Sequence, residues 1–134
     1  MSALLKSTKI DAITLFTEDL PASKAFYEDV FGLPVNYEDS NSAVFDFEGT
    51  IINLLRTPSA HELIAPAGVA DPGAGTRVQF TIGVDDVDAI CAELANRGVS
   101  LLNGPVDRPW GIRTASFTDP AGHIWEIAAD LPAQ

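Results

Sequence analysis

Residues 13–20 have the sequence ITLFTEDL, and residues 80–87 have the similar sequence FTIGVDDV. Each stretch begins with the apolar and β-branched residues that are typical of a strand. Each then reaches an aspartate, Asp19 or Asp86, whose side chain can cap the free N–H groups of a following helix. The second stretch repeats the order of the first, which indicates an internal duplication.

A helix is predicted after each aspartate, over residues 21–31 in the first copy and up to Arg97 in the second. Gly32 and Gly98 follow these helices, and glycine favours the left-handed conformation that ends a helix. Apolar residues recur at helical spacing in both segments. Those expected to face the core are Ala22, Ala25, Phe26 and Val30 in the first helix, and Val87, Ile90, Cys91 and Leu94 in the second.

The similarity continues beyond the helices. A glycine turn precedes a short apolar strand in GTIINL (49–54) and again in GHIWEI (122–127), with a longer interval after the helix in the second copy. Further strand signals lie around 35–38, 42–47, 99–102 and 112–117. The predicted fold is therefore α+β, one domain over residues 1–134 made of two tandem βαβββ modules. Module one covers about 8–56, an Ala/Pro/Gly-rich linker covers 57–76, and module two covers about 77–130.

Charge and composition exclude several classes of protein. The 134 residues carry 19 Asp+Glu against 8 Lys+Arg, a net charge of −11 that would repel a nucleic-acid backbone. No apolar run approaches the length of a membrane span, and the single cysteine, Cys91, cannot form an internal disulfide. A cytoplasmic location is expected. Cys91 lies at a helical apolar position, which favours a packing role over a nucleophilic one.

Alternation along the strands separates an apolar face, expected to receive the helices, from a mixed face. A mixed face suits a concave ligand site with apolar walls and a few polar groups, although an exposed sheet face has the same pattern. The polar residues on it are Thr14, Asn53, Gln79, Thr81 and Glu126.

Four motifs in this order resemble the vicinal oxygen chelate superfamily, which includes glyoxalase I, extradiol dioxygenases, fosfomycin-resistance enzymes and bleomycin-resistance proteins. They are DLPASKAFY (19–27) with FGL (31–33), VDDVD (84–88), and FTDPAG (117–122) with Glu126. The resemblance covers nearly the whole chain. It implies mixed sheets curved around a cavity, helices on the outer face and a homodimer.

The resemblance also implies where metal-dependent members hold their ion. The corresponding positions are Ala12, Asn53, Gln79 and Glu126, of which only the glutamate is a strong ligand. The chain has two histidines, His61 in the linker and His123 beside the turn glycine. Neither a metal ion nor another cofactor is therefore expected.

The segment RPWGIR (108–113) resembles a stretch of the drug-binding relatives. Trp110 is expected to stack on a planar heteroaromatic ligand or to anchor a loop. Arg113 is expected to hydrogen-bond the ligand, to pair with Glu126, or to form a surface ion pair. Phe45 and Phe47 share one strand face, where they either line the pocket or fill the core.

Glu126 is the most informative single residue. It is a candidate to accept hydrogen bonds from a cationic ligand or to act as a general base, and a salt bridge to Arg113 or Arg77 is the structural alternative. The leading hypothesis is a metal-independent small-molecule-binding protein that sequesters an antibiotic or natural product. The alternatives are a lyase, isomerase or dioxygenase with a degenerate metal site or Glu126 chemistry, and a scaffold dimer with a vestigial cavity.

Overall fold

A computed structural model describes residues 4–132 of the chain. Two compact units meet in sequence at Val69 and Ala70. The elements of the first unit are β1 (Ala12–Thr17), α1 (Leu20–Val30), β2 (Tyr37–Glu38), β3 (Ser42–Phe47), β4 (Thr50–Arg56) and α2 (His61–Ile64). Those of the second unit are β5 (Gln79–Gly83), α3 (Val87–Asn96), β6 (Leu101–Asp107), β7 (Ile112–Thr118) and β8 (Ile124–Asp130).

The two units repeat one sheet topology. The strand order is β1-β4-β3-β2 in the first sheet and β5-β8-β7-β6 in the second. In each, the outer pair β1/β4 or β5/β8 is parallel and the other neighbours are antiparallel. The predicted α+β fold with two βαβββ repeats is confirmed, and the module bounds at 8–56 and 77–130 stay predictions.

The sequence signals at the helix ends act as predicted. The Asp19 carboxylate accepts a hydrogen bond from the Ala22 amide at 3.1 Å, and the Asp86 carboxylate accepts one from Ala89 at the same distance. Gly32 and Gly98 follow the helices with φ of 66° and 77°, the region that an L side chain disfavours. Both helix boundaries are therefore set by local chemistry.

The buried face of α1 differs from the predicted one. Its buried residues are Leu20, Ser23 and Tyr27, whereas Ala25 is exposed. The Ser23 hydroxyl shares a buried 2.7 Å hydrogen bond with Thr17 at the end of β1, and this bond fixes the rotation of the helix. Apolar spacing alone missed this, because a buried serine and a tyrosine hold the centre of the interface.

The two edge strands β2 and β6 depart most from the sequence-based bounds. Strand β2 has two residues, while β6 begins at Leu101 and runs to Asp107, beyond the predicted end at 102. Its register to β7 is irregular on both sides of Asn103. The linker carries short helical turns at Thr57–Ser59, His61–Ile64 and Pro72–Ala74. No helix within residues 4–132 is long and apolar enough to cross a membrane.

Candidate functional site

The polar face of the second sheet carries one continuous cross-strand row. The register aligns Thr81 with Glu126 and Glu126 with Ser116, and Ser116 aligns in turn with Asn103 on β6. Residues directly opposite one another share a face of the sheet. A hydroxyl, a carboxylate, a second hydroxyl and an amide therefore cross all four strands of this unit in one line, called the second-unit row below.

Glu126 is the charged member of the row, and it is half-buried. Its Oε1 accepts a 2.9 Å hydrogen bond from the Thr81 hydroxyl. Within residues 4–132 it has no ion-pair partner, so the predicted alternative of a salt bridge to Arg113 or Arg77 is wrong. A carboxylate that is partly desolvated without a cation lacks the partner that would offset the cost.

Two buried side-chain atoms of residues 4–132 have no hydrogen-bond partner, and they are Ser116 Oγ and Asn53 Oδ1. Ser116 lies beside Glu126 in the second-unit row. Asn53 is the repeat equivalent of Glu126 in the first unit, because GTIINL (49–54) matches GHIWEI (122–127). Buried polar atoms are normally paired, so each sheet has one buried polar atom, Asn53 Oδ1 or Ser116 Oγ, that is able to accept a further hydrogen bond.

The first sheet has the equivalent row, which contains no charge. The register aligns Thr14 with Asn53, Asn53 with Val44, and Val44 with Tyr37. Asn53 Nδ2 donates a long 3.4 Å hydrogen bond to the Thr14 hydroxyl. This pair occupies the position equivalent to Thr81–Glu126, with an amide in place of the carboxylate and with the direction of the hydrogen bond reversed. These four residues are called the first-unit row below.

Arg108 joins the polar face of the second sheet, a placement that the sequence did not reveal. Its Nε donates a 2.9 Å hydrogen bond to the hydroxyl of Thr114. Thr114 is fully buried and lies two residues before Ser116 on β7, so both project from the same face. The motif RPWGIR (108–113) contains Arg108 but did not indicate its partner, since the position of this side chain depends on how the turn between β6 and β7 folds back.

Arg113 lies on the opposite face, and the prediction that it pairs with Glu126 is wrong. It shares one face of β7 with Ala115 and Phe117, which are buried on the helix-facing side. Its guanidinium pairs with Asp88 of α3 at 3.0 Å and with Asp107 of β6 at 2.8 Å. These two aspartates, Asp88 first, raise the pKa of Arg113 above its ordinary value. Arg113 thus ties the helix to the sheet.

Phe45 and Phe47 fill the core instead of lining the mixed face. Phe45 is fully buried, with its ring centroid 5.6 Å from that of Tyr27. The Phe47 ring lies 5.1 Å from Phe31 and 6.1 Å from Tyr27. Both phenylalanines share the face of Ala43, opposite to the one that carries Asn53. Of the two predicted alternatives, the structure shows the core role.

Trp110 and Gln79 are exposed at the borders of the second sheet. Trp110 lies in the turn between β6 and β7, two residues after Arg108, and its side chain is 68% exposed. That turn is closed by a hydrogen bond from the Gly111 amide to the Arg108 carbonyl at 3.1 Å. Gln79 begins β5 on the same face as Thr81. Their predicted roles in binding stay predictions.

The residues at the four positions that the resemblance implies for a metal ion do not fit a divalent ion. Ala12 has no donor atom, Asn53 and Gln79 offer neutral amides, and the Glu126 carboxylate is the only strong ligand. Within residues 4–132, no three His, Cys, Asp or Glu side chains cluster as a metal site would require. His123 is held by the buried Asp119, whose Oδ2 lies 2.8 Å from its Nδ1.

The thiol of Cys91 is partly buried in α3. Burial and the neighbouring Asp88 raise its pKa above the ordinary value, and Arg113 opposes the shift. A raised pKa lowers the thiolate fraction at neutral pH, so the group is a poor nucleophile.

The chain is similar in sequence to known proteins over most of its length. The protein YraH of Bacillus subtilis is 32% identical over 123 residues, which cover 89% of this chain and 96% of YraH. The metallothiol transferase FosB of Lysinibacillus sphaericus is 28% identical over 120 residues, covering 88% of this chain and 79% of FosB.

A crystal structure of a glyoxalase/bleomycin resistance protein/dioxygenase from Nocardioides is similar with a TM-score of 0.84 and 27% identity, covering 97% of this chain and 91% of that one. The family model described as Glyoxalase/Bleomycin resistance protein/Dioxygenase superfamily matches residues 9–127. The match spans both repeats, including the strands that carry the two rows. The chain therefore belongs to the glyoxalase/bleomycin resistance protein/dioxygenase superfamily.

Proposed function

We propose that this protein binds a small molecule without a metal ion and that the second-unit row makes the polar contacts. The observation that carries the proposal is the half-buried Glu126 carboxylate, whose hydrogen-bond partner within residues 4–132 is the neutral hydroxyl of Thr81. A ligand with a cationic or N–H-rich group would supply the missing partner. Ser116 Oγ, buried and unpaired beside it, adds an unused polar atom to the same place.

The proposed ligand class is an antibiotic or another natural product with a planar heteroaromatic part. The exposed indole of Trp110 favours it, because an aromatic ring at the border of a site can stack on such a ligand. The superfamily to which the chain belongs includes bleomycin resistance proteins, which supports sequestration as the biological role. A homodimer is part of this proposal, on the basis of the family resemblance.

Titration with bleomycin, mitomycin C and a planar cationic dye tests the proposal. A binder is expected to quench Trp110 fluorescence, and a Trp110→Phe variant separates that signal from the buried Trp125. Glu126→Gln is expected to weaken binding about tenfold, the value of one charge-assisted hydrogen bond. The matched control is Glu62→Gln, which removes the same charge from the exposed face of α2.

Two results would contradict the proposal. The first is the absence of any binder in a broad panel of natural products. The second is purification of the protein with one equivalent of nickel, zinc, iron or manganese, measured by elemental analysis. Absence of every ligand would instead favour the scaffold alternative.

An enzyme is the second candidate, because a relative that is 28% identical is named a metallothiol transferase. The residue proposed to act is again Glu126, as an acid or base whose Oε1 is oriented by Thr81. Turnover of a bound compound that is lost in Glu126→Gln, while its binding persists, would support this alternative. The cytoplasmic location stays a prediction from the sequence.

A further inference from the structure

A second charge lies on the same face as Glu126, and it has the opposite sign. Arg108 is half-buried, and within residues 4–132 it has no carboxylate partner. Its bond to the Thr114 hydroxyl uses one of the five N–H donors of a guanidinium. The two terminal nitrogens are left with their donors unused.

The other basic residues show how unusual this is in so acidic a chain. Lys9, Lys24, Arg97 and Arg113 each pair with an acidic side chain. The remaining three, Lys6, Arg56 and Arg77, are exposed to water. Arg108 therefore combines partial burial with the lack of an acidic partner, although the chain has 19 acidic residues against 8 basic ones.

The strand register gives the offset along the sheet between the positions of the two unpaired charges. Glu126 is directly opposite Ser116, and Arg108 is bonded to Thr114, two residues earlier on the same strand. Two residues along an antiparallel strand span roughly 7 Å. Within residues 4–132 the two groups form no salt bridge with each other, and a small molecule lying along this face of the sheet would contact both.

We infer that the ligand is amphoteric, with an amine or amidinium group that meets Glu126 and a carboxylate that meets Arg108. This inference rests on the proposed binding function and narrows its ligand class. A guanidinium recognises a planar carboxylate through two parallel N–H bonds, and the terminal nitrogens of Arg108 are available for them. Trp110 is exposed two residues away in the same turn.

Three probes separate the two charges. 4-(Aminomethyl)benzoate holds an amine and a carboxylate at opposite ends of a ring, while benzylamine and benzoate each carry one of them. Binding is followed by calorimetry and by amide chemical shifts at millimolar concentrations. The amphoteric probe is expected to bind about tenfold more tightly than either single-charge probe, since it makes both charge-assisted contacts.

Substitutions assign each charge to its residue. Arg108→Met is expected to bring the affinity for 4-(aminomethyl)benzoate down to that for benzylamine, and to leave benzylamine binding unchanged. Glu126→Gln is expected to bring the affinity for 4-(aminomethyl)benzoate down to the affinity for benzoate. Arg56→Met is the control, because it removes the same charge from an exposed strand end. Circular dichroism of each variant confirms the fold, and Arg108→Lys, which keeps the charge, is expected to retain part of the affinity.

Equal affinity of the native chain for the amphoteric probe and for benzylamine would overturn the inference. An equal loss of affinity for these two probes in Arg108→Met would overturn it as well. If a natural product binds in a Glu126-dependent way while Arg108→Met has no effect, the inference fails and the proposed function stands. If neither the natural products nor the three probes bind, both fail.

Discussion

The two units share a backbone plan and differ in what they place on it. Both have the same strand order, the same aspartate cap and the same glycine after the helix. The first-unit row pairs a threonine with an amide, whereas the second-unit row pairs a threonine with a carboxylate. Both units thus have a hydrogen bond between the parallel strands at this position, with threonine the acceptor in the first and the donor in the second, and only the second carries a charge.

The helix-facing sides differ as well. In the first unit α1 packs through an aromatic cluster, in which Tyr27 contacts Phe26, Phe31, Phe45 and Phe47. Its repeat equivalent in α3 is the aliphatic Leu94, when the two helices are aligned on their capping aspartates. Stability in the first unit thus depends on ring packing, and in the second on aliphatic burial together with the Phe80–Trp125 pair, whose centroids are 4.9 Å apart.

The largest expected effect comes from truncating Tyr27 and Leu94, the residues through which the two helices pack on their sheets. Tyr27→Ala is expected to lower the free energy of unfolding by about 4 kcal/mol, and Leu94→Ala by about 3 kcal/mol, because the tyrosine leaves the larger cavity. Urea denaturation followed by circular dichroism measures both. Tyr27→Phe keeps the ring contacts and is expected to lose much less. A larger loss for Leu94→Ala would show that the aromatic cluster is not the stronger core.

Substitution of Gly104 tests how closely β6, the irregular strand of the second unit, approaches β7. Gly104 lies in β6 with φ of 87°, and an added Cβ would come within 2.5 Å of the Thr114 carbonyl oxygen and 2.7 Å of the Ala115 Cα. Gly104→Ala is expected to cost about 3 kcal/mol in unfolding free energy. The control is Gly49→Ala in the first unit, where φ is 100° and the Cβ would meet open space.

Gly49→Ala is expected to cost about 1 kcal/mol, from the backbone conformation alone. Both variants are compared by the same denaturation experiment. Equal losses at the two positions would mean that the close approach in β6 relaxes at no cost.

The two arginines that flank the turn between β6 and β7, Arg108 and Arg113, are expected to differ in their effect on binding. Arg113→Met is expected to leave ligand affinity unchanged, because the guanidinium faces α3 and pairs with Asp88 and Asp107. It is expected to lower the melting temperature slightly, since these half-exposed ion pairs contribute little. Calorimetric titration alongside Arg108→Met makes the comparison. Loss of affinity in Arg113→Met would place the ligand on the helix-facing side.

The smallest effect concerns the hairpin turns of the two units. Asp39 closes the turn between β2 and β3 by accepting hydrogen bonds from the amides of Asn41 and Ser42 at 2.8 and 2.9 Å. The bond from the Asn41 amide, the largest cause, holds the pKa of Asp39 below its ordinary value. In the second unit the corresponding turn is closed by backbone bonds, such as Arg108 N–H to the Ile112 carbonyl at 2.7 Å.

A carboxylate with a lowered pKa in the folded state stabilises the fold above its unfolded-state pKa, and the contribution is lost as pH falls through the folded-state value. Asp39→Ala is therefore expected to melt slightly lower than the native chain near pH 7, and the difference should vanish in acid. Thermal melts across pH measure it. A difference that persists unchanged in acid would assign the effect to packing instead of charge.

Much of the fold and part of the site could be predicted, and particular residues show where prediction stopped. The alternation of β7 places Arg113 on the same face as Ala115 and Phe117, so the sequence did carry a signal for its helix-facing position. The side of Phe45 and Phe47 had the same signal in β3. Arg108 lies in the motif RPWGIR (108–113), but the motif did not indicate its partner, because the direction of a side chain after a strand end depends on the turn.

The sequence by itself determined the duplicated βαβββ pattern, the helix caps and the shortage of metal ligands, since these depend on residue type and on neighbours a few positions away. The tertiary structure decided which partner each polar group has. Thr81 and Glu126 are 45 residues apart, and Arg113 and Asp88 are 25 apart. Such pairs are set by strand register and by the rotation of the helices, which no local pattern encodes.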